Sequence, residues 1–181
     1  IACRISSVSD FHAQLTGNGL ITGGVFYFGH SGQFEVVDQG TVLGIVSILA
    51  AGQTNATGSN VEGDNVQQLC DPNAGCNINN YLAASATVTL IGCRGATDVN
   101  DLYAHQTTSI AKMIAKQLAR PVYAWNVGLY ASQLDIDHDQ IFAPTQTTTN
   151  PPASLPMYFV PVGRPGHKPK PRQCTPGGGC S

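Results

Sequence analysis

The stretch Ala86-Thr-Val-Thr-Leu-Ile-Gly-Cys-Arg-Gly95 constrains the fold more than any other in this 181-residue chain. Thr87 to Ile91 are β-branched or aliphatic and carry no charge, which predicts a buried strand of a parallel sheet. The run stops at Gly92-Cys93-Arg94-Gly95, so a cysteine stands at the carboxyl end of a central strand, where open α/β sheets bind ligands. The flanking glycines are expected to let a substrate backbone approach the sulfur. They would also leave amide N–H groups, that of Gly92 included, free to face an oxyanion. The plain alternative is a small buried cysteine in a strand-to-loop turn.

A second stretch, Ile21-Thr-Gly-Gly-Val-Phe-Tyr-Phe-Gly-His-Ser-Gly32, repeats the construction. An uncharged run from Val25 to Phe28 ends in glycine, then His30, with Ser31 and Gly32 behind it. Neighbouring parallel strands that deliver His30 and Cys93 from their carboxyl ends would set a base beside a nucleophile, the arrangement that uses a thiolate near neutral pH.

The length suits one α/β domain over residues 1–163, followed by a Pro/Gly-rich basic tail over 164–181. With 42% hydrophobic and 11% charged residues, the chain can bury a core. No apolar run approaches the roughly 20 residues that cross a bilayer, and no signal peptide is visible. A start at Ile1 rather than Met predicts a processed product or a domain of something longer. All 11 acidic residues fall before Gly163, whereas four of the 9 basic residues fall after it. The tail has no aromatic residue to stack on bases, so nucleic acid is not an expected partner; a solvated tail that does not pack is.

Six cysteines stand at positions 3, 70, 76, 93, 174 and 180. With Cys93 free, Cys70 with Cys76 and Cys174 with Cys180 could each close a short loop as a disulfide and leave Cys3 alone; reduced thiols fit the count equally well. The spacings are not C-x-x-C and no histidine lies near either pair, which argues against zinc.

Along the chain, Val8, Phe11 and Leu15 predict a short helix over Ser6 to Leu15 that starts near Ser9 or Asp10. Gln33–Val37 and Thr41–Leu49 predict short strands or a hairpin, and residues 51–64 a loop that could border a cleft. Val66–Leu69 and Asn77–Leu82 predict short helical or irregular segments. Ile110, Met113, Ile114 and Leu118 form one face of a second helix, capped by Thr108 or Ser109, with Arg120 favouring its C-terminal dipole. A strand over Pro121–Asn126 would complete a βαβ crossover and bring Trp125 and Asn126 to the Cys93 edge as pocket walls, against a purely core role for Trp125. Asp135, Asp137, His138 and Asp139 read as a solvated strand end or as an acidic contribution to a pocket for Arg or Lys. Met157–Val162 predicts an edge strand.

These residues resemble the clan of cysteine peptidases that includes caspases, legumain, gingipains, clostripain and the autoprocessing domains of large bacterial toxins. Phe28-Gly-His-Ser-Gly32 is similar to their histidine motif with one residue inserted before the glycine. Ile91-Gly-Cys-Arg-Gly95 is similar to the caspase cysteine motif with Gly92 for the usual Ala, and Ala124-Trp125-Asn126 to the strand lining the caspase cleft, with Asn126 where caspases carry Arg. The resemblance covers residues 20 to 130. It implies a caspase–haemoglobinase fold, a mostly parallel sheet flanked by helices, in a bacterial toxin- or effector-type hydrolase secreted or delivered within a larger exported protein.

On that resemblance Cys93 attacks a scissile carbonyl, His30 protonates the leaving amine, and the amides of Cys93 and of Ser31 or Gly32 hold the oxyanion. Trp125, Asn126, Arg94, Asp135 and Asp137 are then the candidate substrate contacts. The expected partners are a protein or peptide substrate and a cognate inhibitor or immunity protein, with no cofactor. Three rivals stand beside this reading. Gly29-His-Ser-Gly32 resembles part of a G-x-S-x-G elbow with Ser31 as nucleophile, although Gln33 replaces the final glycine. The others are a binding module without catalysis and a Cys–His acyltransferase or deamidase.

Overall fold

The computed structural model describes residues 5, 7–29, 31–38, 41–50, 60–63, 65–98, 108–132, 141–143, 157–161 and 169–181. For 32–38, 41–50, 130–132, 141–143 and 157–161 only the backbone is described. Within them the protein is mixed α/β, built on a four-stranded, mostly parallel sheet with two α-helices. Among the described residues no helix is long and apolar enough to cross a membrane.

The first helix, α1 (Val8–Thr16), lies within two residues of the expected span, and Ser7 rather than Ser9 or Asp10 is its cap: Ser7 Oγ accepts from the Asp10 amide at 3.1 Å. Val8, Phe11 and Leu15 enter the core as their spacing requires. Strand β1 (Gly24–Phe28) leads to an antiparallel hairpin of β2 (Ser31–Asp38) and β3 (Thr41–Ala50). The short β4 (Asn60–Val61) pairs with the end of β3, inside a stretch expected to be all loop. Two single 3₁₀ turns, Val66–Leu69 and Ile78–Asn80, stand where short segments were expected, with a third at Pro72–Ala74.

Strand β5 (Thr87–Ile91) is central, as its uncharged run requires, with Val88, Leu90 and Ile91 buried. It pairs in parallel with β1 on one side and with β6 (Val122–Ala124) on the other. The crossover from β5 to β6 runs through α2 (Ile110–Leu118), which buries Ile110, Ala111, Ile114, Ala115 and Leu118. Ser109 is its cap, accepting from the Lys112 amide at 3.4 Å.

Four expectations need correction. Arg120 does not sit at the exposed end of α2 facing its dipole. Ala119 takes a left-handed turn (φ 48°) after the helix, and the buried Arg120 donates to the carbonyls of Ala83 (2.7 Å), Ala119 (2.9 Å) and Leu82 and to Asn79 Oδ1 (2.8 Å). The buried guanidinium is kept by spreading its donors over these four acceptors, three of them main-chain carbonyls. The strand after α2 is shorter than expected, and Trp125 and Asn126 lie beyond its ladder.

The tail does pack. β10 (Arg172–Cys174) pairs antiparallel with β6, closing that edge of the main sheet, and Cys174 is fully buried. Composition alone hides this because a Pro/Gly-rich segment gains order from its staple, the Cys174–Cys180 disulfide. Finally, β9 (Met157–Pro161) is not an edge strand: it is the middle strand between β7 (Leu129–Ser132) and β8 (Ile141–Ala143).

Candidate active site at the Cys93 rim

Phe28 pairs with Ile91, so β1 and β5 run out side by side at one edge, and the Gly29 amide extends the contact to the Ile91 carbonyl at 3.2 Å. β6 points the same way, with Ala124 opposite Leu90. The parallel register therefore delivers three segments to one rim: the chain after β1, the Cys93 loop after β5, and the chain from Trp125 onward.

The Cys93 loop is gripped on both sides. Toward β6, the Arg94 amide donates to the Val127 carbonyl (2.9 Å), the Ala96 amide to the Trp125 carbonyl (3.0 Å), and Thr97 Oγ1 to the Asn126 carbonyl (3.2 Å). Cys93 Sγ lies 3.2 Å from both polar atoms of the Leu129 main chain, donating to its carbonyl and accepting from its amide. Toward β1, the buried Ser31 donates its hydroxyl to the Cys93 carbonyl at 2.8 Å. The Gly95 carbonyl accepts the Ala111 amide at 3.1 Å, which seats the first turn of α2 on the loop.

The glycines around Cys93 have a different purpose from the one expected. A Cβ on Gly92 would collide with Ser31 Oγ and stand 2.6 Å from the Gly29 carbonyl, and one on Gly95 would lie 3.4 Å from both Ser31 Oγ and Ala124 Cβ. Both residues are buried. They admit the β1 and β6 sides of the protein itself. The Arg94 amide is engaged with Val127, whereas the Cys93 amide, expected to hold the oxyanion, has no hydrogen-bond partner among the described residues.

Cys93 is partly exposed and is the one free cysteine among the described residues, since Cys70–Cys76 and Cys174–Cys180 are both disulfides. Arg94 and Asn126 are exposed. Trp125, expected as a wall, is buried, with Nε1 donating to the Pro169 carbonyl at 3.2 Å, so the C-terminal segment covers it. Ser31 and Gly32 open β2 opposite Leu49 and Ile48. His30, Asp135, Asp137 and Cys3 lie outside the described residues.

Sequence reading names Ser31 for its amide or as a rival nucleophile and not for its bond to Cys93, and it misses two contributors, the Leu129 main chain and Asp98. Asp98 closes the far end of the loop, accepting from the Ser109 amide (3.0 Å), Thr108 Oγ1 (3.3 Å) and Lys112 Nζ (2.7 Å). Partial desolvation raises its carboxyl, but the Lys112 bond and charge with the Ser109 and Thr108 donors outweigh that and hold it below the ordinary value. The polar pattern Thr108-Ser109-x-x-Lys112 was the available signal. Behind the rim, burial raises the Tyr27 phenol above its ordinary value.

A separate cleft of about 370 Å³ lies between α1 and the Cys70–Cys76 turn, lined by His12, Thr16, Gln68, Asp71 and Tyr81 among others. None of the described candidate residues lines it. His12 Nδ1 is 2.9 Å from the Leu69 carbonyl, which assigns the neutral ring's proton to Nδ1.

No protein-family model, curated protein or solved structure matches the chain.

Proposed function

We propose that the protein is a cysteine endopeptidase of the caspase–haemoglobinase kind, with Cys93 as nucleophile and His30 as acid and base. The observation that carries the reading is the parallel register of β1 on β5, which brings the Cys93 loop and the chain on either side of His30 to one rim. Gly29 bonds to Ile91 and Ser31 to Cys93, so both chain neighbours of His30 border the nucleophile's loop.

In the reaction, His30 takes the Cys93 thiol proton and the sulfur gives its electron pair to the scissile carbonyl carbon. The tetrahedral oxyanion collapses to a thioester, and the leaving amine takes a proton from the His30 imidazolium. Water, deprotonated by His30, then attacks the thioester and releases the acid and the thiol. The unpartnered Cys93 amide supplies one oxyanion donor. Ser31 and Gly32 supply the second: in an antiparallel ladder consecutive residues alternate between facing the partner strand and facing away, so one of these two amides faces away from β3. Arg94, next to Cys93 in the chain, and Asn126, whose carbonyl is bonded to the Cys93 loop through Thr97, are exposed and are the substrate contacts this geometry favours, and the substrate is a protein or peptide.

One observation favours a second reading. Leu129 occupies both hydrogen-bonding directions of the Cys93 thiol, an arrangement that also suits a structural cysteine in a binding module without catalysis. Expression of the parent, Cys93→Ala and His30→Ala chains, followed by a proteome-wide search for new N-termini, separates the two. The peptidase reading predicts new N-termini from the parent alone. Equal yields from all three chains would leave the binding module.

A further inference from the structure

We infer that Ser31 is a positioning residue, which holds the peptide plane between Cys93 and Arg94 in a strained orientation that aims the nucleophile. The plane is pinned at both ends: its carbonyl accepts from Ser31 Oγ at 2.8 Å, and its amide donates to the Val127 carbonyl at 2.9 Å. Arg94, immediately after it, has φ 51°, a left-handed conformation that favours glycine. A flip of that one plane would return Arg94 to ordinary backbone space, at the loss of both hydrogen bonds. Strain of this kind persists only where surrounding bonds overdetermine it. The strain lies one residue from the sulfur.

Ser31 is built into this task. It is 4% exposed, and its Oγ faces the inside of the turn, against Gly92 and within 3.4 Å of where a Gly95 Cβ would stand. The two glycines leave the space, and the hydroxyl fills it with the one donor that reaches the Cys93 carbonyl among the described residues. A side chain on Gly92 would evict that donor. Because Ser31 follows His30 directly, the same hydrogen bond also ties the two strand ends together, across 62 residues of sequence.

The consequence for catalysis rests on the peptidase reading above; the conformational part does not, and the test keeps them apart. Ser31→Ala is prepared alone and together with Arg94→Gly, since glycine tolerates φ 51° without strain. Two quantities are read: hydrogen exchange at the amide of residue 94, and the rate at which Cys93 is captured by a panel of peptidyl acyloxymethyl ketones, set against its rate with iodoacetamide.

With Arg94 retained, Ser31→Ala should speed exchange at residue 94 at least about tenfold and slow peptidyl capture by about 10- to 100-fold, with a much smaller change toward iodoacetamide. With Arg94→Gly already in place, the same serine substitution should change both quantities by less than about threefold, because the plane no longer holds strain. A Ser31→Ala effect of equal size in both backgrounds, or unchanged exchange at residue 94, overturns the inference. Faster exchange that depends on Arg94, in a parent chain that no peptidyl electrophile captures, sustains the conformational role and defeats the peptidase reading instead.

Discussion

Two loops of this protein are closed by a disulfide between cysteines six residues apart, yet they differ in what they hold. The Cys70–Cys76 loop carries a 3₁₀ turn, Pro72–Ala74, whose residues are exposed; its start is held by Gln117 Nε2, which donates to the Cys70 carbonyl. The Cys174–Cys180 loop is part of the main sheet. Its Cys174 pairs with Val122 and is fully buried, Arg172 donates to the Cys180 carbonyl at 2.6 Å, and Gln173 and Ser181 exchange backbone hydrogen bonds. Cys180 Sγ also lies 3.8 Å from Ser109 Oγ, the cap of α2. Equal spacing therefore gives unequal roles, decided by whether an open sheet edge is within reach.

Chain entropy cannot separate the two, because loops of equal length lose the same freedom, about 2 kcal/mol each. Any difference in measured stability reports native packing. The largest effect should come from Cys174→Ser with Cys180→Ser, which adds loss of the β10 edge and of a buried sulfur: a cost of about 4 kcal/mol by denaturant unfolding. The paired substitution Cys70→Ser with Cys76→Ser also loses a buried sulfur, that of Cys70, but no sheet edge, and should cost about 3 kcal/mol. Equal costs would break the comparison and return the C-terminal segment to the solvated tail that its composition suggests.

Smaller changes sharpen it. Trp125→Phe removes the donor to Pro169 and part of the buried indole, and should cost about 2 kcal/mol while raising hydrogen exchange at Gln173 more than at Thr89. Asp98→Asn should show the smallest effect, below about 1 kcal/mol, since the Lys112 pair is partly exposed. Its sign with pH is fixed. The Asp98 carboxyl lies below its ordinary value in the folded protein, so its stabilisation is complete above the unfolded value of about 3.9 and is lost as pH falls through the folded one. The parent should lose stability more steeply than Asp98→Asn as pH is lowered from about 4; parallel curves would remove Asp98 from the account of the loop.

What the sequence made legible follows the same division. Runs whose burial is a local property were readable: the uncharged Thr87–Ile91 strand, the Val8–Phe11–Leu15 face and the α2 face all stand where periodicity puts them. The placement of Cys93 at a strand end beside β1 was readable too, because parallel strands joined by a crossover share a direction. Features that depend on a distant partner were not. Arg120 looks like a helix-end cation until the carbonyls of Leu82 and Ala83 appear beside it, and Arg172–Cys174 looks like tail until β6 offers an edge. Gly92 and Gly95 looked like openings for a substrate because nothing local shows that Ser31, 61 and 64 positions earlier, fills the space.

The central claim is that Cys93 is an activated nucleophile rather than a packed thiol, and intact-mass analysis tests it directly. The disulfide-intact parent chain is incubated with the peptidyl acyloxymethyl ketone panel and digested to locate the adduct. The account predicts a single adduct, on Cys93, that forms in the parent and is lost in His30→Ala. An unmodified Cys93, or equal labelling with and without His30, would contradict it.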